Sequence, residues 1–324
     1  MTAITNTVQT YALRGIREDL SDMIYNIAPT DVPFMSNIGR STADNTYFEW
    51  QTDTLAAAST TNAQIEGDDI SSFTAITPTN RMGNYTQIAR KDVIVSGTAD
   101  RVRKAGRKAE LAYQITIKTK ELKRDLETSV LYNQAASAGN SSTARYTAGL
   151  PAWIRTNVDK AGGGTNPTLS GTTQGYPNAA RGDGTQRSFT ETILKNVIQQ
   201  CWTSGGEPTM IMLGAFNKQA FSAFTGVATK YREVGSKQQA QIIGAADIYV
   251  SDFGTLTAVP CRFQRTRDVF VIDPKMASVA YLRPFMTEEL AKTGDAEKRM
   301  MLVEYGLRVN NEAAHGIAAD LTTS

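Results

Sequence analysis

The feature that most constrains this fold is a long helical pattern over residues 99–133, ADRVRKAGRKAELAYQITIKTKELKRDLETSVLYN, with no proline inside it. Small and apolar residues recur there at spacings of three, four and seven, which places them on one narrow stripe of a helix. The stripe consists of Ala105, Ala109, Ala112, Ile115, Leu122, Leu126 and Ser129. At about 1.5 Å per residue, this helix would be about 50 Å long. The sequence therefore predicts one helix that is longer than most compact domains can house.

The first third of this predicted helix is strongly basic. It holds Arg101, Arg103, Lys104, Arg107 and Lys108, whereas the second half mixes Lys with Glu and Asp. A solvated face with ion pairs within the helix suits the second half. For the basic cluster two interpretations stay open, namely solvation or contact with an acidic neighbour or a nucleic-acid backbone.

Ahead of the helix, residues 45–97 have the pattern of a long hairpin. NTYFEWQTD alternates, with Phe48 and Trp50 on one side, and NYTQIARKDVIVSG is strand-like again after a polar stretch. An isolated two-stranded hairpin is marginal in water. We therefore expect Phe48, Trp50, Tyr85 and Ile88 to pack on another subunit.

Residues 1–45 have too little periodicity to form a unit by themselves. They are predicted to be an extended arm with one short helix near residues 10–24, and the arm must bury its apolar residues against something else.

The second half of the chain contains a glycine-rich region and then an α/β segment. Residues 137–187 are dense in Gly, Thr, Ser and Asn, and their GGG run is not a phosphate loop because no Gly-Lys-Ser/Thr ending follows it. The tripeptide at 181–183, Arg-Gly-Asp, arises easily by chance in such a region. Residues 188–282 alternate helix and strand patterns, which predicts a small mixed sheet, and two strands separated by AKTGDAEK follow.

The residues that could support catalysis are few and scattered. His315 is the single histidine, and only Glu312 could share a helical face with it. Two such residues make no zinc site, and Cys201 and Cys261 have no second Cys or His at ligand spacing. No Gly-x-Ser-x-Gly motif occurs. The sequence therefore predicts a structural His315, no enzymatic active site, no metal and no cofactor.

Charge and hydropathy exclude further classes. A formal net charge of +2 gives no global field that would recruit nucleic acid. Two cysteines make no disulfide framework, and the first twenty residues lack the apolar core of a signal peptide. No apolar run approaches the about 20 residues that span a bilayer. We expect folding in a reducing cytoplasm and no membrane partner.

In order, these elements resemble the major capsid proteins of tailed bacteriophages, which have the Hong Kong 97-type fold. The resemblance covers nearly the whole chain and rests on the order of the segments and on their residue patterns. Its most recognisable stretches are DVPFMSNIGR leading into FEWQTDTL, the helix ending LETSVLYN, GLPAWIRTN, and YLRPFMTEEL followed by LVEYGLRVNNEAAHGIA.

The resemblance implies an α+β fold in which each segment has a named place. The segments are an N-arm at 1–45, an E-loop hairpin at 46–97, a P-domain at 98–187 with its spine helix at 98–136 and the glycine-rich insertion, an A-domain at 188–282, P-domain strands at 283–310, and a C-terminal strand at 311–324 that returns to the A-domain.

The resemblance also implies hexamers and pentamers that form an icosahedral shell around double-stranded DNA, which the subunits contact non-specifically. Some of the basic residues Arg101, Arg103, Lys104, Arg107 and Lys108 are then expected to face the shell interior and its DNA, or an acidic patch of a neighbour or of the scaffold. This chain lacks the long helical segment that precedes the arm in the archetype, so a separate scaffolding protein is expected. A portal protein at one vertex and a decoration protein are further expected partners, with synthesis in the host bacterial cytoplasm and a final place in the virion capsid.

Two other classes stay open at this point. One is a hydrolytic α/β protein that uses residues 188–282, and the other is a cytoplasmic nucleic-acid-binding protein that uses the basic helix at 101–108. The first lacks a nucleophile motif and a histidine within its segment. The second would be expected to show a wider basic bias or aromatic stacking motifs.

Overall fold

The computed structural model describes residues 29–67, 69–70, 73, 75–224 and 247–324. The helix expected near residues 10–24 lies outside this part of the chain. The α-helices of the described part are α1 (Pro33–Asn37), α2 (Gly97–Arg101), α3 (Glu110–Leu131), α4 (Leu150–Trp153), α5 (Glu191–Thr203) and α6 (Ala215–Ser222). The strands are β1 (Gly39–Thr42), β2 (Tyr47–Thr52), β3 (Asn80–Tyr85), β4 (Gln87–Ser96), β5 (Val158–Asp159), β6 (Thr168–Leu169), β7 (Pro177–Ala179), β8 (Met210–Leu213), β9 (Ile248–Ser251), β10 (Gly254–Pro260), β11 (Val269–Ile272), β12 (Ala277–Glu289), β13 (Ala296–Val309) and β14 (Gly316–Ala318).

The prediction of one continuous helix over 99–133 is wrong, because a loop at residues 102–109 separates α2 from α3. Gly106 has a φ of 74°, a left-handed conformation that helices do not contain. The Asp100 carboxylate accepts a hydrogen bond from the Glu110 amide at 2.8 Å and so caps α3 from outside the helix. With 22 residues, α3 is about 33 Å long.

The larger part of the core lies between α3 and a four-stranded sheet of order β1-β12-β13-β4. β1 pairs with β12 in parallel, and the other pairs are antiparallel. Leu122, Leu126 and Val130 of α3 are fully or almost fully buried, as is Val303 of β13. The Lys91 ammonium of β4 lies 2.7 Å from the Asp125 carboxylate of α3, so this face of β4 is turned toward the helix.

The hairpin differs from the predicted one, because β2 pairs with β3 and not with β4. The strand-like stretch NYTQIARKDVIVSG divides at Thr86, whose amide donates to the Thr46 carbonyl at 2.8 Å. The Thr86 hydroxyl donates to the Glu304 carboxylate at 3.0 Å. β4 then continues as a strand of the four-stranded sheet, so the two arms do not have only each other as partners.

The predicted α/β segment forms a second sheet, of order β5-β14-β11-β8-β10-β9. The helix and strand patterns of residues 188–282 are observed as α5, β8, α6, β9, β10 and β11. The Thr190 hydroxyl caps α5 by accepting from the Ile193 amide at 3.4 Å, and Gly205 with a φ of 83° follows the helix end. The C-terminal strand β14 lies inside this sheet, between β5 and β11.

The glycine-rich region is ordered, and the C-terminus holds it in place. Asp320 has a φ of 62°, and its two carboxylate oxygens accept from the Gly184 amide at 2.7 Å and the Ala161 amide at 3.2 Å. The division of the chain into N-arm, E-loop, P-domain and A-domain stays a prediction.

Within the ranges described above, no helix has the length and apolar character needed to cross a membrane.

Candidate subunit-contact surfaces

The base of the hairpin is fixed by Asn84, a fully buried residue of β3. Its side-chain amide donates to the Thr147 hydroxyl at 3.0 Å and to the Leu307 carbonyl at 2.7 Å. Its side-chain oxygen accepts from the Tyr85 and Ala148 amides, both at 2.9 Å. Asn84 therefore joins the hairpin to the 137–187 region and to β13. Sequence reasoning did not single it out, because its partners lie far away along the chain.

The arms of the hairpin are covered by aromatic residues of the same subunit. Trp50 is only 6% exposed, and its ring centroid lies 5.3 Å from that of Trp153 and 5.8 Å from that of Phe48. The Tyr85 ring lies 5.2 Å from the Tyr176 ring in an edge-to-face arrangement. The premise that these side chains lack partners within their own subunit is therefore wrong.

Of the four side chains expected to contact another subunit, only Ile88 is largely exposed, at 48%. It lies on β4, outside the hairpin. Phe48 and Tyr85 are half-buried in their own subunit.

The unsatisfied apolar surface of the hairpin lies at its tip instead. We use the name loop tip for residues 53–79, which connect β2 to β3. Five large apolar side chains of the loop tip are between 71% and 99% exposed, and these are Leu55, Ile65, Ile70, Phe73 and Ile76. The loop tip contains four acidic residues and no basic residue. The sequence feature that indicates this exposed apolar surface is the set of single apolar residues within a Ser- and Thr-rich stretch.

The basic cluster occupies the end of α2 and the 102–109 loop, and not one face of a long helix. The Lys104 ammonium donates to the Asp100 carbonyl at 3.1 Å. The Arg107 guanidinium pairs with Glu110 and lies 5.3 Å from the centre of the Tyr113 ring. Arg101, Arg103 and Lys108 are exposed, and in the described part of the chain none of them has an ion-pair partner.

An open groove of about 820 Å³ runs between β4, the 102–109 loop and α3. Its apolar lining comes from Val93, Ile94, Val95, Ala99 and Val102, and its charged lining mixes basic and acidic residues, namely Lys104, Arg107, Lys118, Asp92 and Glu110. Ile94 is 65% exposed and Val102 57% exposed, so part of the apolar lining faces solvent. We call this feature the β4 groove.

Residues 29–45, the described part of the predicted arm, are attached to α3 through Glu127. This carboxylate is fully buried and accepts from the Phe34 amide at 2.7 Å and the Met35 amide at 2.9 Å. Burial raises the pKa of Glu127 from 4.5 to about 6, against the opposing effect of the two amides. The carboxylate thus satisfies two amides at the start of α1, which a sequence pattern could not reveal.

His315 is fully buried and takes part in a hydrogen bond with the main chain. Its Nδ1 atom accepts from the Asp273 amide at 3.3 Å, and burial lowers its pKa to about 4. Glu312 instead accepts from the Arg155 and Thr156 amides, both at 3.2 Å. Burial raises the pKa of the Cys261 thiol to about 11. A search of the described residues finds no cluster of three or more His, Cys, Asp or Glu that could hold a metal ion.

The Arg-Gly-Asp tripeptide is part of an internal charge network. Arg181 is 4% exposed and donates to the Ile154 carbonyl at 2.6 Å. Asp183 pairs with Arg265 and Arg267, the second at 2.9 Å. Both ends of the tripeptide therefore stabilise the glycine-rich region against its neighbours.

Comparisons with known proteins agree over the whole chain. The model of the SU10 major capsid protein family matches residues 3–322. A major capsid protein of Escherichia phage Phieco32 is 30% identical over 334 residues, which cover 95% of this chain and 95% of the relative.

Solved structures share the fold at low identity. The cyanophage A-1(L) capsid subunit has a TM-score of 0.65 at 11% identity and covers 98% of this chain and 100% of its own. The capsid of a native GTA particle gives 0.63 at 10% identity, with 99% and 100% covered. The SrpI encapsulin from Synechococcus elongatus PCC 7942 gives 0.57 at 10% identity, with 98% and 97% covered.

These relatives do not support the nucleic-acid-binding or hydrolytic alternative. The chain belongs to the SU10 major capsid protein family, has the Hong Kong 97-type fold, and is a phage major capsid protein that builds the capsid shell.

Proposed function

We propose that this subunit assembles into hexamers and pentamers of an icosahedral shell around double-stranded DNA, and that the loop tip clamps adjacent subunits together. The exposed apolar side chains of the loop tip carry this proposal, since Leu55 is 99% and Ile76 94% exposed. Monomeric soluble proteins rarely leave such a group uncovered. Overlap between neighbouring subunits removes this surface from water.

The domain division fits the same proposal. Residues 46–97 supply the E-loop, 98–187 and 283–310 supply the P-domain with α3 as its spine helix, and 188–282 with 311–324 supply the A-domain. Residues 1–45 form the N-arm. Support comes from the two separate sheets and from β14, which returns to the second sheet after β13 has completed the first.

The role of the subunit is structural and not enzymatic. Its one histidine has a pKa lowered to about 4 by burial, and its Cys261 thiol has a pKa raised to about 11, so neither is poised for proton transfer or nucleophilic attack near neutral pH. A separate scaffolding protein, a portal protein and a decoration protein act as partners during assembly in the host bacterial cytoplasm. Contacts with packaged DNA are sequence-independent and go to phosphate.

Deletion of residues 60–69 tests the clamp. The deletion removes part of the exposed loop tip and leaves the paired strands β2 and β3 intact. We expect a subunit with native circular dichroism that no longer forms shells under electron microscopy. Replacement of Leu55, Phe73 and Ile76 by serine, which keeps the loop length and removes exposed apolar side chains, should also fail. Shells of normal size from either variant would show that the loop tip is not a clamp.

A further inference from the structure

We propose that residues 168–187 form a brace that sets the direction in which the loop tip leaves its own subunit. We use the name brace for these residues of the glycine-rich region. One end of the brace bonds to the hairpin, its middle bonds to the segment after α3, and its other end bonds to the second sheet. The consequence for the shell rests on the proposed clamp function, because a clamp needs arms that hold a fixed direction.

The hairpin end of the brace is the turn between β6 and β7. The Gly175 amide donates to the Arg81 carbonyl at 2.7 Å, and the Gly83 amide donates to the Gly175 carbonyl at 3.0 Å. The turn therefore bonds to the main chain of β3 on both sides of Met82. β2 and β3 form a sheet of two strands, so the brace binds the edge of β3 that β2 leaves open. Gly175 has a φ of 97°, a conformation that favours glycine.

Tyr176 adds a side-chain contact at the same end of the brace. Its ring centroid lies 6.0 Å from that of Tyr47 and 5.2 Å from that of Tyr85, both in edge-to-face arrangements. Tyr47 belongs to β2 and Tyr85 to β3, so one ring of the brace contacts both arms of the hairpin. Aromatic pairs prefer defined separations and angles, and these contacts therefore restrict the tilt of the arms.

The middle of the brace is bonded beside the end of α3. The Asn133 side chain donates to the Arg181 carbonyl at 2.7 Å and accepts from the Arg181 amide at 3.0 Å. The Ala136 amide donates to the Pro177 carbonyl at 2.8 Å. These bonds prevent the brace from sliding along the helix end when a force acts on the hairpin.

The other end of the brace is bonded to the second sheet. Arg265 and Arg267 lie between β10 and β11, and both pair with the Asp183 carboxylate, the second at 2.9 Å. The Arg267 guanidinium also donates to the Gly184 carbonyl at 2.7 Å. The Gly184 amide in turn donates to the Asp320 carboxylate at 2.7 Å. The brace thus connects the hairpin to the second sheet through bonds at both of its ends.

Asn84 and the brace restrain different movements of the hairpin. Asn84 fixes the position of the hairpin base, whereas the brace binds Arg81 and Gly83, which lie nearer to the loop tip. The six residues of β2 span about 20 Å. A rotation of about 20° at the base would therefore move the far end of the arms by about 7 Å, more than the separation of about 5 Å between neighbouring strands. Loss of the brace is thus enough to misdirect the loop tip.

Distances between two spin labels on the dissociated full-length subunit measure this direction. The hairpin distance joins labels at Thr54→Cys, just beyond β2, and Lys123→Cys, an exposed position of α3. The reference distance joins Lys123→Cys and Thr255→Cys, an exposed position of β10 in the second sheet. The two native cysteines are buried, so the labels attach selectively to the added thiols.

Two variants break the brace at opposite ends. The hairpin-end variant is Tyr176→Ala, and the sheet-end variant carries Asp183→Ala with Arg267→Gln. Tyr176→Phe, which keeps the ring, and Gln186→Ala, at an exposed position of the brace, are the matched controls. We expect either break to widen the distribution of the hairpin distance by about 5 Å or more and to leave the reference distance unchanged. Both breaks together should widen it no further, because one break already releases the brace.

The sheet-end variant gives the decisive result, because its substitutions do not touch the hairpin. If that variant has native circular dichroism and a hairpin distance as narrow as that of the controls, the brace is refuted and the clamp function is unaffected. Asp183→Ala alone, at a 44% exposed side chain, replaces the double substitution if the latter does not fold, and the same criterion applies to it.

Assembly gives the second readout. With the scaffolding protein co-expressed, the sheet-end variant should form particles of mixed size, whereas the controls should form uniform shells. Uniform shells from the sheet-end variant would overturn the role of the brace in assembly. Normal shells from the subunit that lacks residues 60–69 would instead overturn the clamp function and leave the widened hairpin distance of the brace variants as it is.

Discussion

Replacement of Asn84 by alanine should loosen the base of the hairpin. The substitution removes four hydrogen bonds of 2.7–3.0 Å and leaves the Ala148 amide and the Leu307 carbonyl without this partner in a fully buried position. Each buried polar group left unpaired costs about 1–3 kcal/mol. We therefore expect the free energy of unfolding to fall by about 3 kcal/mol or more, and the Tm by about 4 °C or more for a chain of 324 residues.

Urea unfolding of the dissociated subunit, followed by tryptophan fluorescence, measures this change. Two of the three tryptophans report on this region, because Trp50 and Trp153 are buried and their rings lie 5.3 Å apart beside the hairpin base. Asn84→Asp distinguishes the donor side of the amide from its acceptor side. It keeps the acceptor atoms but turns an oxygen toward the Leu307 carbonyl, and it should cost as much as Asn84→Ala. Asn62→Ala on the exposed loop tip is the matched control. A cost for Asn84→Ala no larger than that of the control would refute the stabilising role of Asn84 at the hairpin base.

Two buried titratable groups should give opposite dependences on pH. Glu127 has a pKa raised from 4.5 to about 6, so it adds about 2 kcal/mol to the free energy of unfolding below pH 4.5, and this gain is lost as the pH rises through about 6. In urea unfolding, Glu127→Gln should remove the pH dependence that this group causes. His315 has a pKa lowered from 6.5 to about 4, so about 3 kcal/mol is present above pH 6.5 and lost as the pH falls toward 4. His315→Gln should suppress this fall in stability at acidic pH and should still form shells of the usual size. Loss of a bound metal or of a measurable enzymatic turnover in the variant would contradict a structural role for His315.

The elements of the second sheet could be predicted from sequence because their signals are local. Thr190 and Glu191 mark the start of α5, Gly205 marks its end, and the buried run MIML of β8 has no polar interruption. Local patterns of this kind depend on neighbours within one turn or one strand. The structure accordingly has the helices and strands of this segment in the expected order.

The errors in the other half of the chain have a common physical cause. The break in the long helix is stabilised by Asp100, which caps a helix that begins ten residues later. The change of partner sheet at Thr86 depends on Glu304, and the burial of Trp50 depends on Trp153, about a hundred residues away. Such long-range partners leave no periodic trace in sequence, so sequence patterns alone do not reveal that the apolar arms have partners within their own subunit.

The most direct test of the account is a cryo-electron microscopy reconstruction of shells assembled from the unmodified protein, at a resolution that traces residues 53–79. The account predicts continuous density for the loop tip of one subunit across the surface of its neighbour. Density that places the loop tip on its own subunit or free in solvent would contradict it, and so would a protein that remains a stable monomer when its scaffolding protein is co-expressed.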